Sequence, residues 1–176
     1  VGTEGTCVTV LEATVRLVYS PPARTLLVLG FLDAFEAADH VPEIMAHQPI
    51  ALEGMDSFLI EQMRKKSLHP AEVALLPEGG GWLLVEFGSD TKEEAMSRAH
   101  RLMAHMQGKA RPPSMKLFEH PKDAGKIWMV RESSLGATAI VPGEPHHWEG
   151  WEDAAVPPEK LGGYLRDFSG LLKKYN

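Results

Sequence analysis

The sequence predicts an α+β fold: a ferredoxin-like, largely antiparallel sheet with helices packed on one face. Three observations carry this. Strand-like apolar runs alternate with helical patterns and fall into two βαβ-like groups, followed by one more strand–helix pair. The strand runs are short. The glycine-rich phosphate turn that opens a doubly wound parallel sheet, the alternative architecture, is missing.

The elements follow in chain order. Cys7 to Val18 reads as strand, because Val8, Val10, Thr14, Val15, Leu17 and Val18 are β-formers and Pro21-Pro22 stops the run. Arg24 to Phe31 is a second, almost continuously apolar strand. Asp33 caps a helix to about Gln48, with Phe35, Ala38, Val41, Ile44 and Met45 near helical spacing. Pro42 inside this pattern marks a kink or an early break. Ile50 to Glu53 is a short strand, and Asp56 opens a helix to about Ser67.

Beyond Gly79-Gly80-Gly81, Trp82 to Phe87 is a strand. Thr91 and Glu94 have the spacing of a capping box. Ala95, Ala99, Leu102, Met103 and Met106 then mark one buried helix face. Gly108 to Pro113 is a loop, Met115 to Phe118 a strand, and Pro121 opens a helix to about Leu135. Gly136 to Gly150 is irregular. Glu152 to Val156 reads as a short strand, and Pro157-Pro158 starts a last helix with Leu161, Leu165, Phe168 and Leu172 on one face.

Composition narrows the function. With 176 residues, 44% hydrophobic and 24% charged, the chain can build an ordinary core without a metal or disulfide staple. A net charge of -6 argues against a nucleic-acid binder, which needs a basic face for phosphates. The basic runs Arg64-Lys65-Lys66 and Lys173-Lys174 sit at predicted helix ends, where cations suit the dipole. The lone Cys7 fits a reducing, cytoplasmic setting. No run approaches the about 18 to 20 apolar residues of a membrane span. No charged n-region or initiator methionine precedes Val1, so a fragment of a longer protein is expected.

Arg131 is the most informative single residue. It follows Ala124, Ile127 and Trp128 by seven, four and three positions and precedes Leu135 by four, so it projects from the apolar stripe of its helix. A guanidinium there must be paired or must line a cavity. It can anchor a substrate carboxylate through its planar fork. It can also be an internally paired or snorkelling arginine, with Glu152 or Asp153 as partner. Those two adjacent acids point to opposite faces of their strand, so one turns inward, for catalysis, for pairing with Arg131 or for a strand-end hydrogen bond.

Eight histidines do not make a metal site. His100 and His105 are five apart on one helix, His146 and His147 are adjacent in a loop, and no HExxH motif or cysteine cluster is present. No nucleophile elbow or Ser/His/Asp spacing supports a hydrolase. Gly2-Thr3-Glu4-Gly5-Thr6 forms a tight turn whose backbone N–H groups suit a phosphate or a flavin edge.

Three segments together resemble the FAD-linked oxidases of the vanillyl-alcohol-oxidase type, the glycolate oxidase subunit and D-lactate dehydrogenase relatives. Gly2-Thr3-Glu4-Gly5-Thr6 with Leu11-Glu12-Ala13-Thr14-Val15-Arg16-Leu17 resembles their Gly-Ser-Glu-Gly-Thr-Leu-Gly…Glu-Ala-x-x-Arg-Leu stretch. Trp128-Met129-Val130-Arg131-Glu132 resembles their Trp-x-x-Arg helix, and Glu152-Asp153-Ala154-Ala155-Val156-Pro157 with Leu161 resembles their Asp-x-x-(Val/Ile)-Pro…Leu segment.

The resemblance implies that residues 1–20 end an FAD-binding domain and that residues 21–176 form a truncated C-terminal cap, or substrate, domain. It places Gly2, Gly5 and Thr6 near FAD and gives Arg131 and Asp153 the substrate. The implied reaction takes a hydride from the Cα of a small 2-hydroxy acid of the lactate or glycolate type to the flavin. Electrons then leave to a quinone, cytochrome or iron–sulfur partner. Cys7 and Val8 stand where the family has Leu-Gly, Trp151 where some relatives have lysine, and Leu135 where they have a hydroxyl. The last two departures point away from a diacid. The family's Gly-His-x-Gly-Asp-Gly-Asn stretch is absent, so this chain alone is expected neither to hold FAD tightly nor to turn over. The readings that compete with this are a non-catalytic ferredoxin-like ligand-binding or interaction domain, and a relative acting on an alcohol or sugar.

Overall fold

The computed structural model of the chain describes residues 7–139, 141, 143 and 155–175. Four strands form one sheet: β1 (Ala23–Phe31), β2 (Ala51–Asp56), β3 (Gly81–Ser89) and β4 (Ser114–Phe118), in the order β2-β3-β1-β4. Every neighbouring pair is antiparallel. Between the strands run α1 (Ala34–Asp39), α2 (Val41–Met45), α3 (Ser57–Lys65), α4 (Pro70–Val73) and α5 (Lys92–Gln107). After β4 come α6 (Pro121–Glu132), α7 (Ser134–Thr138) and α8 (Leu161–Tyr175), the last behind a 3-10 turn at Pro158–Lys160. The α+β class with an antiparallel sheet stands as predicted.

The helices, however, cover both faces of the sheet rather than one. Leu26, Val28, Trp82, Leu84 and Phe118 face α3 and α6, where Ile60, Met63, Ile127 and Val130 are buried. Leu27, Leu29, Leu83, Val85 and Phe87 face α1, α2 and α5, where Ala37, Ile44, Ala99, Leu102 and Met106 are buried. The reason lies in the central strands. β1 and β3 are apolar at successive positions instead of alternating, and a strand of that kind must be covered on both sides.

Local chemistry sets the helix ends. Asp33 accepts from the Glu36 N–H at the start of α1, and Asp56 from the Leu59 N–H at the start of α3. The helix predicted from Asp33 to Gln48 breaks at His40, because Pro42 lacks an N–H and restarts the chain as α2. Thr91 caps α5 through the Glu94 N–H, but the Glu94 carboxylate turns to Ser89 and Arg98, so the capping box is half formed. The helix predicted to reach Leu135 stops at Glu132. There the Ser133 hydroxyl donates to the Met129 carbonyl at 2.8 Å, a back-bond that bends a helix.

Two strand expectations need correction or comment. Residues 7–20 are exposed and form no strand despite their β-forming composition, because the sheet extends no rung to them. Of the strand expected at Glu152 to Val156, Ala155 and Val156 are irregular, and Glu152, Asp153 and Ala154 lie outside the described residues. Helix α8 lies on α1, held by the Arg166–Asp39 ion pair with one hydrogen bond at 2.8 Å. Gly162 permits this approach, since a Cβ there would stand 1.9 Å from an Asp39 carboxylate oxygen.

Candidate functional site

The site grows from the register of one helix over two strands. Along α6, Ile127 and Val130 are buried against the sheet, which sets Trp128 and Arg131 one turn apart on its flank. Beneath them two acids share a sheet face. Glu53 of β2 stands opposite Leu84 of β3, and Glu86 lies two residues further along β3, so the acids form a diagonal pair. The helix flank meets both. The Trp128 indole N–H donates to Glu86 Oε1 at 3.2 Å. The Arg131 Nε donates to Glu53 Oε2 at 3.0 Å, and its Nη2 lies 3.0 Å from the same oxygen.

The two acids differ in environment. The Glu86 side chain is 9% exposed and takes a second donor, Arg24 Nη1, at 3.0 Å. Glu53 is 42% exposed and Arg131 36% exposed. Arg131 is thus a partly wet guanidinium on the rim of the core, the position expected for a group that lines a cavity.

That cavity, of about 690 Å³, runs along edge strand β2. Its walls are largely apolar, with Ala38, Met45, Leu52, Met55 and Leu165 among them. Glu53, Asp56 and Arg131 bring charge to it, and Arg131 is its one cation among the described residues. Asp56 is engaged in capping α3. A space of this size, with few polar groups converging on an apolar wall, suits a small organic molecule. With two carboxylates to one guanidinium, Arg131 is the point among the described residues at which an anion could be met.

A second polar cluster lies away from this cavity's charged end. The Glu43 carboxylate of α2 accepts from His105 at 2.7 Å and also from His40 and Lys109, which ties α2 to the end of α5. Burial pushes its carboxyl up, but the hydrogen bonds from Lys109, His105 and His40 outweigh this and hold it at about 2. Among the described residues no three His, Cys, Asp or Glu side chains are placed to hold a metal ion. No described helix is long and apolar enough to cross a membrane.

Of the residues singled out from sequence, Arg131 falls at the cavity. Gly2, Gly5, Thr6, Glu152, Asp153 and Trp151 lie outside the described residues, as does the Leu135 side chain. Sequence reasoning did not find Glu53 or Glu86. Glu86 had a signal: a carboxylate inside an otherwise apolar central strand must find donors. The glycine cluster Gly79-Gly80-Gly81 offers no phosphate cradle. Cβ atoms there would collide with the backbone of Phe31, Leu32 and Asp33, so that space is already filled by chain. That cluster therefore offers no room for the phosphates of a dinucleotide.

Comparison with known proteins gives the chain its kin. It is 27% identical over 181 residues to the D-2-hydroxyglutarate dehydrogenase of Pseudomonas putida, which covers 99% of this chain and 18% of that protein. It is 23% identical over 193 residues to the D-2-hydroxyglutarate dehydrogenase of Haemophilus influenzae, and 23% over 185 residues to that of Escherichia coli, with the same shares covered. The chain thus spans about a fifth of the length of the curated relatives it matches. The family model described as "FAD linked oxidases, C-terminal domain" matches residues 20–176, and the chain belongs to that family.

Proposed function

We propose that this chain is the substrate-facing domain of a FAD-dependent oxidoreductase that oxidises a small 2-hydroxy acid, with Arg131 taking the substrate carboxylate. The observation that carries this is the place of Arg131, the one cation among the described residues that line the apolar cavity. A guanidinium suits a carboxylate bidentately, and the surrounding apolar wall strengthens the pairing by thinning the water. The family implies FAD as the cofactor of the whole protein. When bound it supplies the hydride acceptor; this chain's part is to hold and orient the acid. In this scheme residues 1–20 close the flavin-binding domain, Gly2, Gly5 and Thr6 lie near FAD, and Asp153 joins Arg131 at the substrate. Purified alone, the 176-residue chain should retain no stoichiometric FAD and show no turnover, which its visible absorption spectrum checks.

The departures at Leu135 and Trp151 favour a monoacid such as D-lactate or glycolate over the diacid in the relatives' names. The electrons pass on to a quinone, cytochrome or iron–sulfur protein, in a cytoplasmic setting consistent with the lone Cys7.

The test is the visible spectrum of the whole flavoprotein before and after anaerobic D-lactate, glycolate and D-2-hydroxyglutarate. Bleaching by one of them supports the hydroxy-acid assignment, and the fastest names the substrate class. A flavin that none of them bleaches overturns it. In the same protein, Arg131→Ala should lower kcat/KM roughly 30- to 1000-fold, or about 2 to 4 kcal/mol. An alcohol or sugar substrate would leave that variant mildly affected.

A further inference from the structure

We infer that Glu53 is a positioning residue for Arg131, holding the guanidinium by its Nε–Nη2 edge so that it meets the carboxylate of a 2-hydroxy acid in one fixed orientation. This rests on Arg131 being the carboxylate anchor proposed above. Arg131 Nε donates to Glu53 Oε2 at 3.0 Å, and Nη2 lies 3.0 Å from the same oxygen. Two contacts from one edge of the guanidinium to one oxygen turn that edge toward Glu53. A guanidinium carries five N–H donors in a planar fork, more than one carboxylate oxygen can engage.

The location of Glu53 supports that role. Its backbone is held in the ladder opposite Leu84, so the carboxylate stands on a rigid strand and not on a loop. It lines the same cavity as Arg131. At 42% and 36% exposure, the pair is too wet to add much to stability, and its effect lies in where it puts the cation. Arginine has a long stem whose free rotamers must be lost when a ligand binds, and a partner that orders the stem beforehand lessens that loss.

A carboxylate beside an anion site has a second possible effect, of opposite sign. If Glu53 mainly competed with the substrate for Arg131, its removal would tighten substrate binding. If it positions Arg131, its removal weakens binding, and an amide that keeps an acceptor oxygen restores most of what was lost. The sign of the KM change separates the two.

The experiment uses the whole flavoenzyme with whichever of D-lactate, glycolate and D-2-hydroxyglutarate reduces the flavin fastest. Flavin content and circular dichroism first establish that Glu53→Ala, Glu53→Gln and Arg131→Ala are folded. Glu53→Ala should lower kcat/KM roughly tenfold, mostly through a raised KM, within the range that misplacing a positioning group costs. Glu53→Gln should recover to within roughly threefold of wild type, because its amide oxygen still accepts from Nε and Nη2. An unchanged or lowered KM in Glu53→Ala overturns the inference while leaving Arg131 as the anchor. An Arg131→Ala enzyme with wild-type kinetics removes the anchor itself.

Discussion

Glu86 and Glu53 stand diagonally on one face of the sheet, and helix α6 answers both, Trp128 over the first and Arg131 over the second. Yet Glu86 is shut in, with its carboxylate shared between the Trp128 indole and Arg24, whereas Glu53 faces the cavity and is nearly half exposed. A buried carboxylate that loses its donors leaves charge unmatched in a poor solvent, so a change at Glu86 affects the fold. An exposed one can be rehydrated, so a change at Glu53 costs the fold little, and on the proposal above its effect falls on what Arg131 binds. One helix flank thus carries a fold-forming anchor and, one turn on, the guanidinium proposed to take the substrate carboxylate.

The strongest way to break this division is Glu86→Ala. It strands the Trp128 N–H inside and removes the Arg24 partner, whose own side chain is 48% exposed and can hydrate. Loss of about 2 to 3 kcal/mol of stability is expected, the worth of hydrogen bonds to a charged group. Urea unfolding followed by circular dichroism measures it. Glu53→Ala in the same assay should lose less than about 1 kcal/mol. Equal losses at the two positions would mean that burial does not separate them.

Glu43 sharpens the comparison from the middle. Its side chain is 27% exposed, between the other two, and has three cationic or imidazole partners. Its folded carboxyl is depressed from 4.5 to about 2, so its contribution is present above about pH 4.5 and fades as the pH falls through about 2. Glu43→Gln should therefore cost on the order of 1 to 2 kcal/mol near neutrality, after solvent screening is allowed for. The gap between wild type and variant should close between pH 4.5 and pH 2. A gap that stayed constant down to pH 2 would show that the carboxylate's charge is not what ties α2 to α5.

Much of this architecture was legible in the residues. All four strands (with β2 running on to Asp56 beyond the expected Glu53), the caps at Asp33, Asp56 and Thr91, and the buried face of α5 follow from apolar period and side-chain chemistry. Arg131 was legible because a cation at i+4 from Ile127 has to be accounted for. Its partner was not, because sequence spacing says nothing of which strand lies under a helix 78 residues away. Glu152 and Asp153, the partners that the sequence offers, lie outside the described residues. The two-sided helix cover was written in the unbroken apolar runs Leu26–Leu29 and Trp82–Val85, but the antiparallel sheet suggested a single buried face. Residues 7–20 show the opposite failure: their β-forming composition pairs with no strand of the sheet and stays exposed.

The smallest expected effect bears most directly on whether anchor and site are separate. Trp128→Phe keeps an aromatic ring against the core and removes the indole donor to Glu86. Stability should fall by about 1 kcal/mol, the usual net worth of one hydrogen bond. Arg131 sits three residues on in the same helix, but Ile127 and Val130 remain fully buried and hold α6 in register. The whole flavoenzyme carrying Trp128→Phe should then keep kcat/KM within roughly threefold, since a helix held by core packing moves little when one part-buried hydrogen bond goes. A loss as deep as that of Arg131→Ala, with so small a change in stability, would mean that Trp128 acts on the ligand itself. The boundary between the fold-forming anchor and the site would then run through Glu86 instead of between Glu86 and Glu53.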